Sequence, residues 1–241
     1  MQRPKKWGLA LALFLLGVCS SLTLAADSSG PSPAPAPAPP ATFDRVRVPP
    51  ADEADKNPEF KEFREQLLEA LKNHDLKFVL EHVDKNITCS YGAEFGLEGF
   101  MRVWNLNEKP EKSALWTELE KLLRLGGIFT DEELSFFVAP YTFINFPTYF
   151  DAYEYSVAIE DQLKVFAAPD PAAPVIATLS YEIVRWRQVT DRDPNAWEEI
   201  FLYNGKKGYV HRRSLRSPID YRAGFENDGG EWKMTFLVAG D

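Results

Sequence analysis

The spacing of apolar residues changes at Asp151, and that change restricts the chain to an α+β architecture with its helices and its short strands in separate parts. Before it, Phe60, Phe63, Leu67 and Leu71 recur at helical spacing, with Leu68 and Ala70 widening the stripe. Pro58 suits a first helical turn, and Asp75 caps a second short helix running through Val83. Beyond Asp151, short runs rich in β-branched and aromatic residues alternate with turns: Tyr155–Ile159, Leu163–Ala167, Val175–Leu179, Ile183–Arg187, Trp197–Tyr203 and Gly208–His211. Runs this closely spaced predict a small barrel, and Asn204-Gly205 is a strong hairpin turn.

Between these regions the sequence predicts a strand over Asn86–Tyr91 and a helix over Gly99–Trp104. A longer helix carries Trp116, Leu119, Leu122 and Leu123 and ends at Gly126-Gly127. Thr130 and Glu133 have the spacing of a capping box, which predicts a short helical turn there. Phe136–Pro140 reads as extended, followed by an aromatic loop from Tyr141 to Pro147. A last hairpin joins Arg222–Glu226 to Glu231–Val238. In its second arm Trp232, Met234, Phe236 and Val238 form one apolar face that needs cover. We expect this hairpin to pack back on the helical part, which would make the small barrel an insertion.

The first residues read as an address. Arg3, Lys5 and Lys6 precede an apolar run from Gly8 to Val18 and a small-residue stretch ending at Ala25 and Ala26, the order of a secretory signal peptide. Cys19, after Leu16-Gly17-Val18, offers lipid anchoring as the alternative to plain secretion. Loss of residues 1–25 would remove three cations and no acid, taking the net charge from -9 to -12. Such a chain lacks the positive face that nucleic acid requires. Residues 27–42 are of low complexity, and the alternating Pro and Ala within them favour an extended spacer. The expected organisation is therefore a signal peptide (1–25), a Pro/Ala-rich linker (26–57), a mainly helical α+β domain (58–152), a small barrel (153–217) and the C-terminal hairpin (218–241). No transmembrane span is expected once the signal is removed. Cys89, in an apolar-alternating stretch, is expected to be a buried and inert thiol.

Residues 157–216, a quarter of the chain, carry a recognisable order. Leu163-Lys-Val165 leads to a turn at Pro169, then Val175-Ile-Ala-Thr-Leu179, then Trp197-Glu-Glu-Ile-Phe-Leu-Tyr-Asn-Gly205, and closes with Lys207-Gly208-Tyr209-Val210 before Leu215. This run resembles a bacterial SH3-like (SH3b) domain. Two positions depart from that family's pattern: Tyr181-Glu182 stands where a glycine is usual, and Gly-Tyr replaces the commoner Gly-Trp. The chain from 58 to 241 also resembles exported envelope proteins that pair an uncharacterised helical domain with such a module.

Motifs for chemistry are sparse. His74, His82 and His211 have no metal-ligand spacing, and no phosphate loop, nucleophile elbow or dinucleotide fingerprint occurs, so no cofactor is expected. Grooves of SH3 type hold ligands against aromatic faces, which makes Tyr181, Trp186, Trp197, Tyr203 and Tyr209 the candidate ligand-binding residues. The expected function is non-catalytic binding of a peptide, a peptidoglycan fragment or an envelope protein. A cell-wall hydrolase with its site in the helical domain, and an assembly factor acting through that domain, are the alternatives.

Overall fold

A computed structural model describes residues 42–90, 92, 94–186 and 193–240. Residues 1–41, with the expected signal peptide, Cys19 and most of the Pro/Ala stretch, lie outside the described residues. Residues 40–241 form a unit built on two sheets, a mixed α/β architecture in which neither sheet closes into a barrel.

The described residues before Asp151 supply five α-helices: α1 (Pro58–Lys72), α2 (Leu76–Glu81), α3 (Gly96–Val103), α4 (Leu115–Arg124) and α5 (Tyr141–Ile144). Among them run β1 (Val83–Thr88), β2 (Ile128–Phe129) and β3 (Phe136–Ala139). Asn57 caps α1 by accepting the amides of Glu59 and Phe60, and Asp75 caps α2 by accepting that of Phe78. Val83, expected to close the second helix, instead opens β1.

The strands that complete this first sheet come from the far end of the chain. β11 (Arg222–Asp228) and β12 (Glu231–Val238) sit at its centre, in the order β1-β12-β11-β3-β2, with β12 parallel to β1 and antiparallel to β11. The apolar stripes of α1 and α4 meet this sheet in one core. Phe60, wholly buried, packs its ring against Phe63, Phe129, Phe137, Phe225 and Trp232.

The apolar face of β12 is not a strict alternation. A bulge between Gly224 and Phe225 shifts the pairing, so Leu237 and Val238 are both buried while Phe236 is only half-buried. The ring of Phe236 lies over Gly224, where a Cβ atom would collide with it.

The helical turn expected from Thr130 and Glu133 is absent. Asp131 instead accepts the amides of Ser135 and Phe136 and the Ser135 hydroxyl, closing a hairpin turn between β2 and β3. Burial opposes ionisation of Asp131, but these hydrogen bonds outweigh it and hold its pKa below the usual value.

The second sheet holds β4 (Tyr155–Ala158), β5 (Leu163–Phe166), β6 (Val175–Leu179), β7 (Ile183–Arg185), β8 (Trp197–Phe201), β9 (Lys207–His211) and β10 (Leu215–Arg216). Its order is β10-β4-β7-β8-β9-β5-β6, with β10 and β6 as free edges. Val165, Val184, Ile200 and Val210 fill its core.

Residues 43–57, expected as linker, are packed. Phe43 meets the rings of Phe150 and Tyr155 edge-on, and Val48 is buried. Backbone hydrogen bonds join Val46 to Ile183 and Val48 to Tyr181 beside β7. The strap then crosses to the first sheet, where Glu53 bonds Gly127 and Phe129 and Ala54 is wholly buried. Buried Glu182 fixes the crossing, accepting from Arg45 and from the Ser180 amide. Among the described residues, no helix is long and apolar enough to cross a membrane.

Candidate functional site

Two surfaces of the second sheet can receive a ligand. The first is the outer face of β8, β9 and β5. Trp197 lies directly opposite His211 in the β8–β9 register, and Tyr209 is opposite both Glu199 and Phe166. Period-two alternation therefore puts these side chains on one face, while Glu198, Ile200 and Val210 point into the core. Trp197 stacks on His211 with ring centroids 4.0 Å apart, and Phe166 meets Trp197 edge-on at 5.5 Å. His211 Nδ1 lies 2.9 Å from the Asn195 carbonyl, which can only accept, so Nδ1 carries the proton in the neutral ring. Tyr209 donates its hydroxyl to Glu199, which also pairs with Lys207 at 3.1 Å and holds that ammonium's pKa above its usual value. A groove of about 290 Å³ runs beside the stack, lined by Phe166, His211, Arg213 and Ser214.

The second surface is a cleft of about 450 Å³ between α4 and the second sheet. Glu118, Lys121, Arg124 and Leu125 form one side, and Ile159, Trp186, Pro194 and Leu215 the other. Arg212, Arg213, Arg216, Asp220 and Tyr221 complete it. Its wall is built on a buried carboxylate. Glu198 accepts the Trp186 indole N–H at 3.0 Å and the Arg212 Nε at 2.6 Å, with a second bond from the same guanidinium. Arg216 is also buried, pairing with Asp220 at 3.1 Å and donating to the Tyr221 carbonyl.

The five aromatic residues singled out from the sequence do not form one surface. Trp197 and Tyr209 share the outer face. Trp186 is buried, with its N–H committed to Glu198 and its edge on the cleft. Tyr203 lies under the Arg45 guanidinium, 5.1 Å from ring centroid to Cζ, and its carbonyl accepts the Phe43 amide. Tyr181 belongs to the strap junction. Its φ of +64° is the left-handed region, which a residue other than glycine adopts only against a Cβ penalty. Phe166 and His211 of the stack, and the arginines of the cleft, were not read from the sequence as binding residues. The available signal was Arg212-Arg213-Ser-Leu-Arg216, three cations in five residues of an acidic chain.

The histidines of the helical part are engaged in packing. His82 bonds the Phe78 carbonyl through Nδ1 and lies against Phe63 and Phe78, while His74 stacks on Trp116. Cys89 is buried and unpaired, and burial pushes its pKa up to about 11. Phe100 and Trp104 fill the first core. No group of three or more His, Cys, Asp or Glu placed to hold a metal ion occurs among the described residues. No family model, no curated protein and no solved structure matches the chain.

Proposed function

We propose that the chain is an exported, non-catalytic envelope protein whose second sheet is an SH3-like module, in an open form, binding a peptide or peptidoglycan-derived ligand. The observation that carries this reading is the half-exposed Trp197–His211 stack, with Phe166 at its edge and a groove beside it. Rigid aromatic area binds at small entropic cost because few rotors are frozen, and peptide backbones and sugar faces both lie flat on such rings. The order of β5 to β9, the Asn204-Gly205 turn and the left-handed Tyr181 support the SH3-like part of the reading. The charged, apolar and small-residue order of residues 1–25 supports export, with lipidation at Cys19 as the alternative route to the envelope.

The test is to incubate the protein with purified sacculi and with soluble muropeptides, following both retention and released products. Retention without new products is the expected result. Product release, or failure to be retained by either material, would overturn the reading.

A further inference from the structure

The cleft between α4 and the second sheet carries a charge opposite in sign to that of the chain around it. The chain has a formal net charge of -9, yet the cleft sets five cations against the carboxylates of Glu118 and Asp220. The five are not equivalent. Arg212 is committed to the buried Glu198, and Arg216 to Asp220 and the Tyr221 carbonyl, so both belong to the wall.

The other three face solvent. Lys121 and Arg124 sit in pairs along α4 with Glu118 and Glu120, and exposed pairs of this kind are easily exchanged for another carboxylate. Arg213 is exposed and donates to the neutral Asn195 side chain. Among the described residues it forms no ion pair. Beneath these cations lie Leu125, Ile159 and the edge of Trp186.

We propose that this cleft binds a short acidic peptide, whose carboxylates meet Lys121, Arg124 and Arg213 while its apolar parts cover Leu125, Ile159 and Trp186. A volume of about 450 Å³ lies within the range of pockets that enclose small ligands. A bare inorganic anion would leave the apolar wall wet, and an uncharged peptide would leave Arg213 without a counter-charge and make no use of Lys121 and Arg124, whose exposed pairs on α4 can be exchanged. Arg213 also lines the groove beside the Trp197–His211 stack, so a peptide seated in the cleft continues onto that face. The inference rests on the reading of the chain as a peptide binder and adds the charge of the ligand.

The experiment is calorimetric titration of the full chain with tetraglutamate and tetraglutamine at low and high salt. Tetraglutamate should bind at least about tenfold more tightly than tetraglutamine, and salt should weaken it. The double variant Lys121→Gln/Arg213→Gln should lose about tenfold in tetraglutamate affinity with an unchanged thermal melt. Where that variant melts early, Arg124→Gln is read in its place.

Equal affinity for tetraglutamate and tetraglutamine, unchanged tetraglutamate affinity in the variant, or no saturable tetraglutamate binding would overturn the proposal. Sacculus retention by a double variant whose tetraglutamate affinity is also unchanged would overturn the cleft alone. Tetraglutamate binding in a protein that sacculi do not retain would support the cleft and overturn the peptidoglycan reading alone.

Discussion

Replacing Glu198 by alanine should destabilise the protein more than most single substitutions, because this buried carboxylate accepts from both the Trp186 indole and the Arg212 guanidinium. Its side chain is 9% exposed and that of Arg212 is 13% exposed. Among the described residues, loss of Glu198 strands the guanidinium without a counter-charge and the Trp186 N–H without an acceptor. Removing one member of a buried ion pair costs about 3–5 kcal/mol, most of it the penalty of the charge left behind. For a domain of this size about 2–4 °C is lost per kcal/mol, so the melting midpoint should fall by about 6–20 °C. Glu198→Gln keeps an acceptor for the indole and should lose less. The double variant Glu198→Ala/Arg212→Met removes the orphaned charge and should melt above Glu198→Ala. Thermal melts followed by circular dichroism give all three values. A Glu198→Ala variant within about 0.5 kcal/mol of the parent, a change typical of neutral surface sites, would refute the reasoning.

Three further outcomes follow from the packing. Deleting residues 219–241 removes β11 and β12 from the centre of the first sheet, so the helical far-ultraviolet signal should lose its cooperative melt; an unchanged melt would contradict the sheet order. Gly224→Val should destabilise by about 1–3 kcal/mol through the Phe236 ring, measured by urea denaturation, and Gly224→Val/Phe236→Ala should recover part of that loss. Cys89 has a folded pKa raised from 9.0 to about 11, so its contribution is complete below about pH 9 and is lost as pH rises through 11. The loss should be at most about 2–3 kcal/mol, and Cys89→Ala should remove that part of the alkaline decline.

Local periodicity made much of the architecture legible. The stripe of Phe60, Phe63, Leu67 and Leu71 located α1, and the β-branched runs located β5 to β9 within a residue or two, because those patterns report burial directly. Pairing between distant segments left no such trace. The parallel contact of β1 with β12 joins residues about 150 apart, and only the uncovered face of Trp232 and Met234 hinted that the hairpin needed a partner. The strap at 43–57 was hidden by its Pro-rich approach and lack of period, since what holds it is scattered: the Phe43 ring, buried Val48 and Ala54, backbone hydrogen bonds and Glu182. Alternation also misplaced Phe236, because a bulge resets the face of a strand without changing its composition.

The candidate site was legible in kind but not in grouping. Aromatic residues in a small β module pointed toward one shared face, and Trp197 and Tyr209 do lie on the same outer face of β8 and β9. Trp186, Tyr181 and Tyr203 have the same chemistry but stand at the core edge and beside the strap. The cationic cleft depends on α4 lying against Arg212–Arg216, a juxtaposition that tertiary packing alone creates.

Hydrogen exchange of the full chain with and without soluble muropeptides tests the central claim most directly. The account predicts slowed exchange in Trp197–Phe201 and Lys207–His211, extending to Arg213, with no new muropeptide products. Protection confined to the surface around His82, or no protection anywhere, would contradict it.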